Sequence, residues 1–262
     1  MRLSRLVTKH RNSRVGRQII HWAHRVIDSA DNVNNLDWAA NGELTVLQRF
    51  SDARCVFDVG ANRGEWAEMA RTAMPAATIH CFEIVPATAK FCAQRFAADD
   101  KVQVVSKGLG DRDGTVDVSV WSHDDRLSSV VFDGHAGSRE TIQALVTTGD
   151  SYVAAHAVDT IDLLKIDAEG AEPAVLRGFA TTLAGGRIGA IQFEFGMANL
   201  VTRFLLADYY ALLGSTYAIG RMFPDGVEFR DHDPRLERFE LSNYLAVRRD
   251  RPALIERLAV RT

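Results

Sequence analysis

From residue 55 onward, short apolar runs of strand length alternate with amphipathic segments of helical length, and few folds satisfy that pattern. CVFDV (55–59), ATIHCFEI (77–84), VQVVS (102–106), IDLLKID (161–167) and GAIQFEF (189–195) read as buried strands. Between them, GEWAEMARTA (64–73), PATAKFCAQRFAA (86–98) and EPAVLRGFATTL (172–183) read as helices, the second opening on Pro86 near its first position. TVDVSVW (115–121) alternates with period two, as a half-exposed strand does. Helix VTRFLLADYYALL (201–213), strand TYAIGRM (216–222), a Pro-Asp-Gly turn and strand LSNYLAVRR (241–249) complete the chain. Strands separated by helices require a mainly parallel sheet with helices on both faces. The last two strands have no helix between them and predict an antiparallel, hairpin-like end. The expected fold is one α/β domain over 41–262, a mostly parallel doubly wound sheet with an antiparallel last strand. A helical, basic segment over 1–40 precedes it. Residues 122–156 show no clear periodicity and read as an irregular stretch, a candidate lid carrying His123, His135 and His156.

In an open doubly wound sheet, ligands bind beyond the carboxyl ends of the strands. The first strand ends in DVGANRG, which supplies Asp58, Gly60, Asn62 and Gly64. The glycines permit a tight turn and close approach of a ligand to the backbone. The second strand ends in Glu83, 19 residues past Gly64, where an acid that binds ribose hydroxyls belongs. A dinucleotide fingerprint has a central glycine that lets pyrophosphate lie against the backbone; Asn62 stands in that place. The loop therefore suits S-adenosylmethionine, which has a ribose and an amino-acid tail and no phosphates. An NAD(P)-dependent oxidoreductase is the rival reading, and a non-catalytic S-adenosylmethionine-binding protein is a second. As a purely structural alternative, the glycines only make a strand-to-helix turn and Glu83 is a solvated strand end.

Further along, Asp167, Glu169 and Glu172 crowd around Gly170 at the end of another strand, and Glu194 interrupts the apolar run IQFEF. Like charges so close must face water, a cation or a polar ligand. These acids also suit a helix N-terminus, which is the structural alternative. His80 in its apolar strand reads as a core histidine, and Trp38 and Trp66 read as core residues.

Together these blocks resemble the FkbM family of S-adenosylmethionine-dependent methyltransferases over roughly residues 41–248. The resemblance is carried by NGE (41–43), VFDVGANRG (56–64), CFEIVP (81–86), GLGDRDG (108–114), LLKIDAEGAEPAVLRG (163–178), FEFG (193–196) and SNYLAV (242–247), in that order. It implies a Rossmann-like methyltransferase fold and O-methylation of a sugar, glycolipid, polysaccharide or polyketide-type product. It makes Asp58, Gly60, Asn62, Gly64 and Glu83 cofactor-binding, with Leu109 beside the adenine. Asp167, Glu169 and Glu194 are the candidate catalytic carboxylates, one taking the proton of an acceptor hydroxyl and the others holding neighbouring hydroxyls. Alternatively, the same oxygens hold Mg²⁺ and lower the hydroxyl pKa. Asn199, Arg203 and Asp208, which follow Glu194, are candidate acceptor contacts, with a surface ion pair as the alternative for the last two. The chain departs from the family pattern at AVDTIDLLKID (157–167), which runs a T-L-D-like strand into the K-I-D strand and leaves out the short helix expected between them.

Charge is divided unevenly. The first 25 residues hold seven basic side chains and no acid, while the remainder holds 24 basic and 34 acidic, for a net charge of −3. This segment reads as a solvated or oligomer-packing helix face, or as a peripheral contact with an anionic membrane. Nucleic acid is excluded as a partner, because no basic patch is interleaved with aromatics. A dimer is compatible with this pattern. Three cysteines with no CxxC pair, and no apolar run long enough to span a bilayer, point to a cytoplasmic protein.

Overall fold

The computed structural model describes residues 8–121 and 139–260. In chain order the elements are α1 (Arg14–Ala30), α2 (Glu43–Arg49), β1 (Cys55–Val59), α3 (Glu65–Ala73), β2 (Thr78–Phe82), α4 (Pro86–Arg95), β3 (Val102–Val105), β4 (Gly108–Gly110), β5 (Gly114–Trp121) and β6 (Arg139–Thr148). There follow α5 (Gly149–Ala155), β7 (Ile161–Ile166), α6 (Glu172–Gly178), α7 (Ala180–Ala184), β8 (Ile188–Phe195), α8 (Met197–Thr202) and α9 (Leu206–Leu213). The chain closes with β9 (Tyr217–Phe223), β10 (Gly226–Phe229), β11 (Ser242–Arg248) and α10 (Pro252–Leu258).

Eight strands form the main sheet in the order β10-β9-β11-β8-β7-β1-β2-β3. The run from β8 to β3 is parallel, and β11 is antiparallel to both neighbours. The order reverses between β1 and β7, and that switch point sets where a ligand cleft opens. Strand alternation sends Val56, Ile79 and Leu163 into one core with α2, α3, α4 and α10. The neighbouring Phe57, Phe82 and Leu164 enter a second core with α5, α6 and α9. Burial on both faces is why these strands read as continuous apolar runs.

Four expectations change. The strands expected at 216–222 and 241–249 do pair antiparallel, as β9 and β11, but an unexpected strand, β10, makes the hairpin with β9, and β11 lies between β9 and β8. Local turn chemistry at Pro-Asp-Gly dictates the hairpin, whereas the insertion depends on pairing with distant β8. The described part of the stretch taken as irregular is ordered secondary structure. β6 pairs antiparallel with β5 and, with β4, makes a three-stranded sheet, and α5 follows directly. As expected, no helix interrupts 157–167: α5 ends at Ala155, ahead of this stretch, and β7 runs unbroken from Ile161 to Ile166. The helices expected over 172–183 and 201–213 are each broken, at Phe179 and at Arg203, the latter in the left-handed region at φ +56°. His123 and His135 lie outside the described residues.

His80 is a core residue, as expected. Its Nδ1 lies 2.9 Å from the Tyr152 hydroxyl, and burial beside His156 pushes its pKa down to about 4. No helix among the described residues is long and apolar enough to cross a membrane.

Candidate active site

A cavity of about 830 Å³ opens at the carboxyl ends of β1, β2, β7 and β8. The loop after β1 builds one wall. Gly60 lies at φ +81°, and a Cβ there would sit 1.7 Å from the Asp167 carbonyl oxygen, so only glycine lets β1 and β7 end side by side. Asn62 follows at φ +50°, a conformation asparagine tolerates better than most residues. Its backbone N–H donates to Glu83 Oε2 at 2.8 Å, and Glu83 Oε1 accepts from the Val85 N–H at 2.8 Å. The β2 acid therefore holds the glycine loop in place while its carboxylate edges the cavity. Burial pushes the Glu83 carboxyl above the ordinary carboxylate range, against these two bonds. Leu109, in β4, supplies an apolar patch on the same wall.

Loop 167–171 after β7 builds the opposite wall. Glu172 is buried, and its Oε1 accepts from the Ala168 and Gly170 N–H groups at 2.9 and 3.1 Å. Burial pushes its carboxyl up to about 7. Glu172 is the pin of this loop and does not line the cavity, whereas Asp167 and Glu169 do. Glu194, near the end of β8, completes the carboxylate group, with its register partner Asn243 of β11 beside it. Burial, followed by the charges of Asp167, Glu169 and Glu172, holds Glu194 well above the usual carboxylate range.

Beneath the cavity lies a network in which the sequence had suggested chemistry only for Asp58 and Asp167. Lys165 is buried and bridges Asp58 and Asp167, with Nζ at 3.1 and 3.2 Å from their carboxylates. Burial opposes the ammonium, but Asp58, Asp167 and Glu43 outweigh it and keep Lys165 charged. Glu43 accepts from Asn41 Nδ2 at 2.9 Å and from Gln192 Nε2 at 2.5 Å. Trp66 covers Lys165, whose Nζ is 5.4 Å from its ring centroid, and the indole Nε1 has no partner among the described residues. Trp66 is buried, as expected of a core residue, yet it also lines the cavity, as do Lys165 and Glu43. The signal for Lys165 was the same as for Glu194: a charge inside an otherwise apolar strand.

Not every expected residue reaches the cavity. Gly60, Asn62, Glu83 and Leu109 line it, as do Asp167, Glu169 and Glu194. Asp58 is fully buried below the floor and touches it only through Lys165. Gly64 lies at φ +85° where a Cβ would meet Phe96 and Cys92, so its place is in packing α3 against α4. Asn199 is buried and caps α8, its Oδ1 accepting from the Gly196 N–H and its Nδ2 donating to the Phe204 carbonyl. Asp208 accepts from the Leu205 N–H at the start of α9, and exposed Arg203 ends α8. None of these three lines the cavity. Among the described residues no group of three or more His, Cys, Asp and Glu side chains is arranged to hold a metal ion, so a Mg²⁺ site at the carboxylates has no geometric support.

Known proteins share this pattern. The Methyltransferase FkbM domain model matches residues 58–216. The 2-O-methyltransferase NoeI of Sinorhizobium fredii is 26% identical over 192 residues, which cover 66% of this chain and 76% of that protein. Among solved structures, a methyltransferase FkbM from Methylobacillus flagellatus aligns at 17% identity and a TM-score of 0.48, covering 75% of this chain and 44% of that one. This chain thus spans less than half the length of that protein. An O-methyltransferase from Bacillus cereus, solved with SAH, aligns at 11% identity and a TM-score of 0.45, covering 79% and 80% of the two chains. The domain match takes in more than half of the chain and includes the glycine loop, Glu83 and the three cavity carboxylates, so this protein belongs to the FkbM methyltransferase family.

Proposed function

We propose that this methyltransferase transfers the methyl group of S-adenosylmethionine to a hydroxyl of a sugar-containing or similarly hydroxylated acceptor. The observation that carries the reading is that the glycine-loop wall and the carboxylates Asp167, Glu169 and Glu194 face one cavity. The residues present fit the cofactor: Glu83 can accept from ribose hydroxyls, Leu109 can flank the adenine, and the unpartnered Trp66 Nε1 can donate to the methionine carboxylate. When bound, S-adenosylmethionine supplies an electrophilic methyl on a sulfonium. Asn62 at the loop disfavours a pyrophosphate there and so an NAD(P) cofactor.

The protein's own part is alignment and proton removal. A hydroxyl is a poor nucleophile at neutral pH, and a carboxylate within hydrogen-bond reach takes its proton as it attacks. Glu194 is the favoured base, because its raised pKa brings it closer to neutrality than an ordinary carboxylate. Asp167 is held by Lys165 and is better placed to hold a neighbouring hydroxyl. The NoeI name specifies 2-O-methylation, which supports an oxygen acceptor for this chain as well.

S-adenosylhomocysteine should raise the melting temperature and NAD should not, since only a ligand of the folded state stabilises it. Transfer of labelled methyl should then be found to a sugar, oligosaccharide or lipid-linked glycan, and Glu194→Gln should lower kcat by about a hundredfold or more with S-adenosylhomocysteine binding intact. Stabilisation by NAD alone overturns the cofactor. Binding without transfer to any hydroxylated acceptor leaves the non-catalytic reading.

A further inference from the structure

Helix α1 presents an exposed apolar face among the described residues. Val15, Ile19, Trp22 and Val26 recur at helical spacing on one side and are 64, 55, 67 and 46% exposed. No residue of the helix is buried. Arg14, Arg17, His21 and Arg25 occupy the other side, with Lys9 and Arg11 just ahead of it. The one acid of α1, Asp28, lies near its end and pairs with Arg238 at 3.3 Å. Contiguous bare apolar surface of this kind marks a contact site.

The helix is anchored to the body at its carboxyl end. Arg238 holds Asp28 and Asp31, Arg221 donates to the Asp31 carbonyl, and the buried Asn32 side chain donates to the Met222 carbonyl. A few residues on, Leu36 and Trp38 are exposed and line the active-site cavity. The segment that follows α1 thus forms part of the cavity's rim.

Charge selects the occupant. Pairing of two copies through this face would cover the apolar stripe but leave the basic side chains, which lie on the other side, without an anionic partner. An anionic lipid surface satisfies both sides at once: the apolar stripe enters the headgroup–acyl boundary, and the basic side chains reach back to the phosphates. We propose that α1 lies in the plane of an anionic membrane and holds the cavity opening near its surface. Resting on the methyltransferase reading, this makes the acceptor a membrane-resident, lipid-linked hydroxyl compound.

The test is co-sedimentation of the full chain with vesicles of phosphatidylcholine alone or mixed with phosphatidylglycerol. Binding is expected to the mixed vesicles and should weaken with added salt. Ile19→Glu combined with Trp22→Glu should lower that partition at least about tenfold, and Arg14→Glu combined with Arg17→Glu should also weaken it. Both variants should retain the melting shift with S-adenosylhomocysteine, because α1 contributes no buried residue. Equal partition of variants and wild type, binding to neither vesicle, or a dimer that Ile19→Glu with Trp22→Glu dissolves in the absence of vesicle binding each overturns the proposal. Vesicle binding without any response to S-adenosylhomocysteine leaves the membrane contact standing and removes the methyltransferase reading of the acceptor.

Discussion

Burial, and after it the neighbouring carboxylates, favour the protonated form of Glu194. Burial raises its pKa first, and the charge of Asp167 raises it further. In its proposed role as base, Glu194 is protonated and idle at low pH and becomes competent as the pH climbs through its pKa. Asp167→Asn removes one repelling charge, so the Glu194 pKa falls and the acid limb of the kcat/KM profile should move to lower pH. An unmoved limb, or one displaced upward, would remove Glu194 from the role of base. The Glu in IQFEF and the acids around Gly170 were legible because charge in an apolar setting demands a reason. Lys165 sent the same signal from LLKID, yet its partners Asp58 and Asp167 could be identified only once β1 and β7 were known to be adjacent. Asn199, Arg203 and Asp208 show the converse: polar residues near the site in sequence that serve helix ends, Asn199 and Asp208 through their side chains and Arg203 through its backbone.

At the scale of elements, the β1–loop–α3 and β7–loop–α6 units carry the site, and both were readable because glycine and acid spacing is local. The break between α8 and α9 was not. VTRFLLADYYALL has continuous helical spacing, but Arg203 adopts φ +56° and Asp208 starts a new helix by capping Leu205. A left-handed arginine costs about 1 kcal/mol or more relative to glycine. Arg203→Gly should therefore raise the melting temperature by an amount equivalent to about 1 kcal/mol and leave turnover unchanged. A tenfold fall in turnover would instead make Arg203 an acceptor contact.

Across the whole molecule, the basic segment and the α/β body meet near Asn32. Up to Ala30 nothing in α1 is buried, whereas Asn32 donates to the carbonyls of Asn41 and Met222, and Asn41 in turn holds Glu43 beneath the cavity. Removing residues 1–30 should change stability by no more than about 1 kcal/mol and preserve S-adenosylhomocysteine binding. Removing residues 1–40 should cost clearly more, since the bonds made by Asn32 are lost with it. Thermal melts of the two truncations decide the matter, and equal melting temperatures would place the boundary nearer residue 40.

By itself, the amino-acid sequence determined the class of fold, the cavity-lining ends of β1, β2 and β7, and the charge division between α1 and the body. Each of these is written in short-range order, in strand and helix periodicity, glycine spacing and counts of charge. Only the tertiary structure decided the insertion of β11 between β8 and β9, the Lys165–Asp58–Asp167 bridge, and which polar residues reach the cavity. Those depend on pairings between residues far apart in the chain, whose partners are chosen by sheet closure and burial and leave no periodic trace in the local sequence.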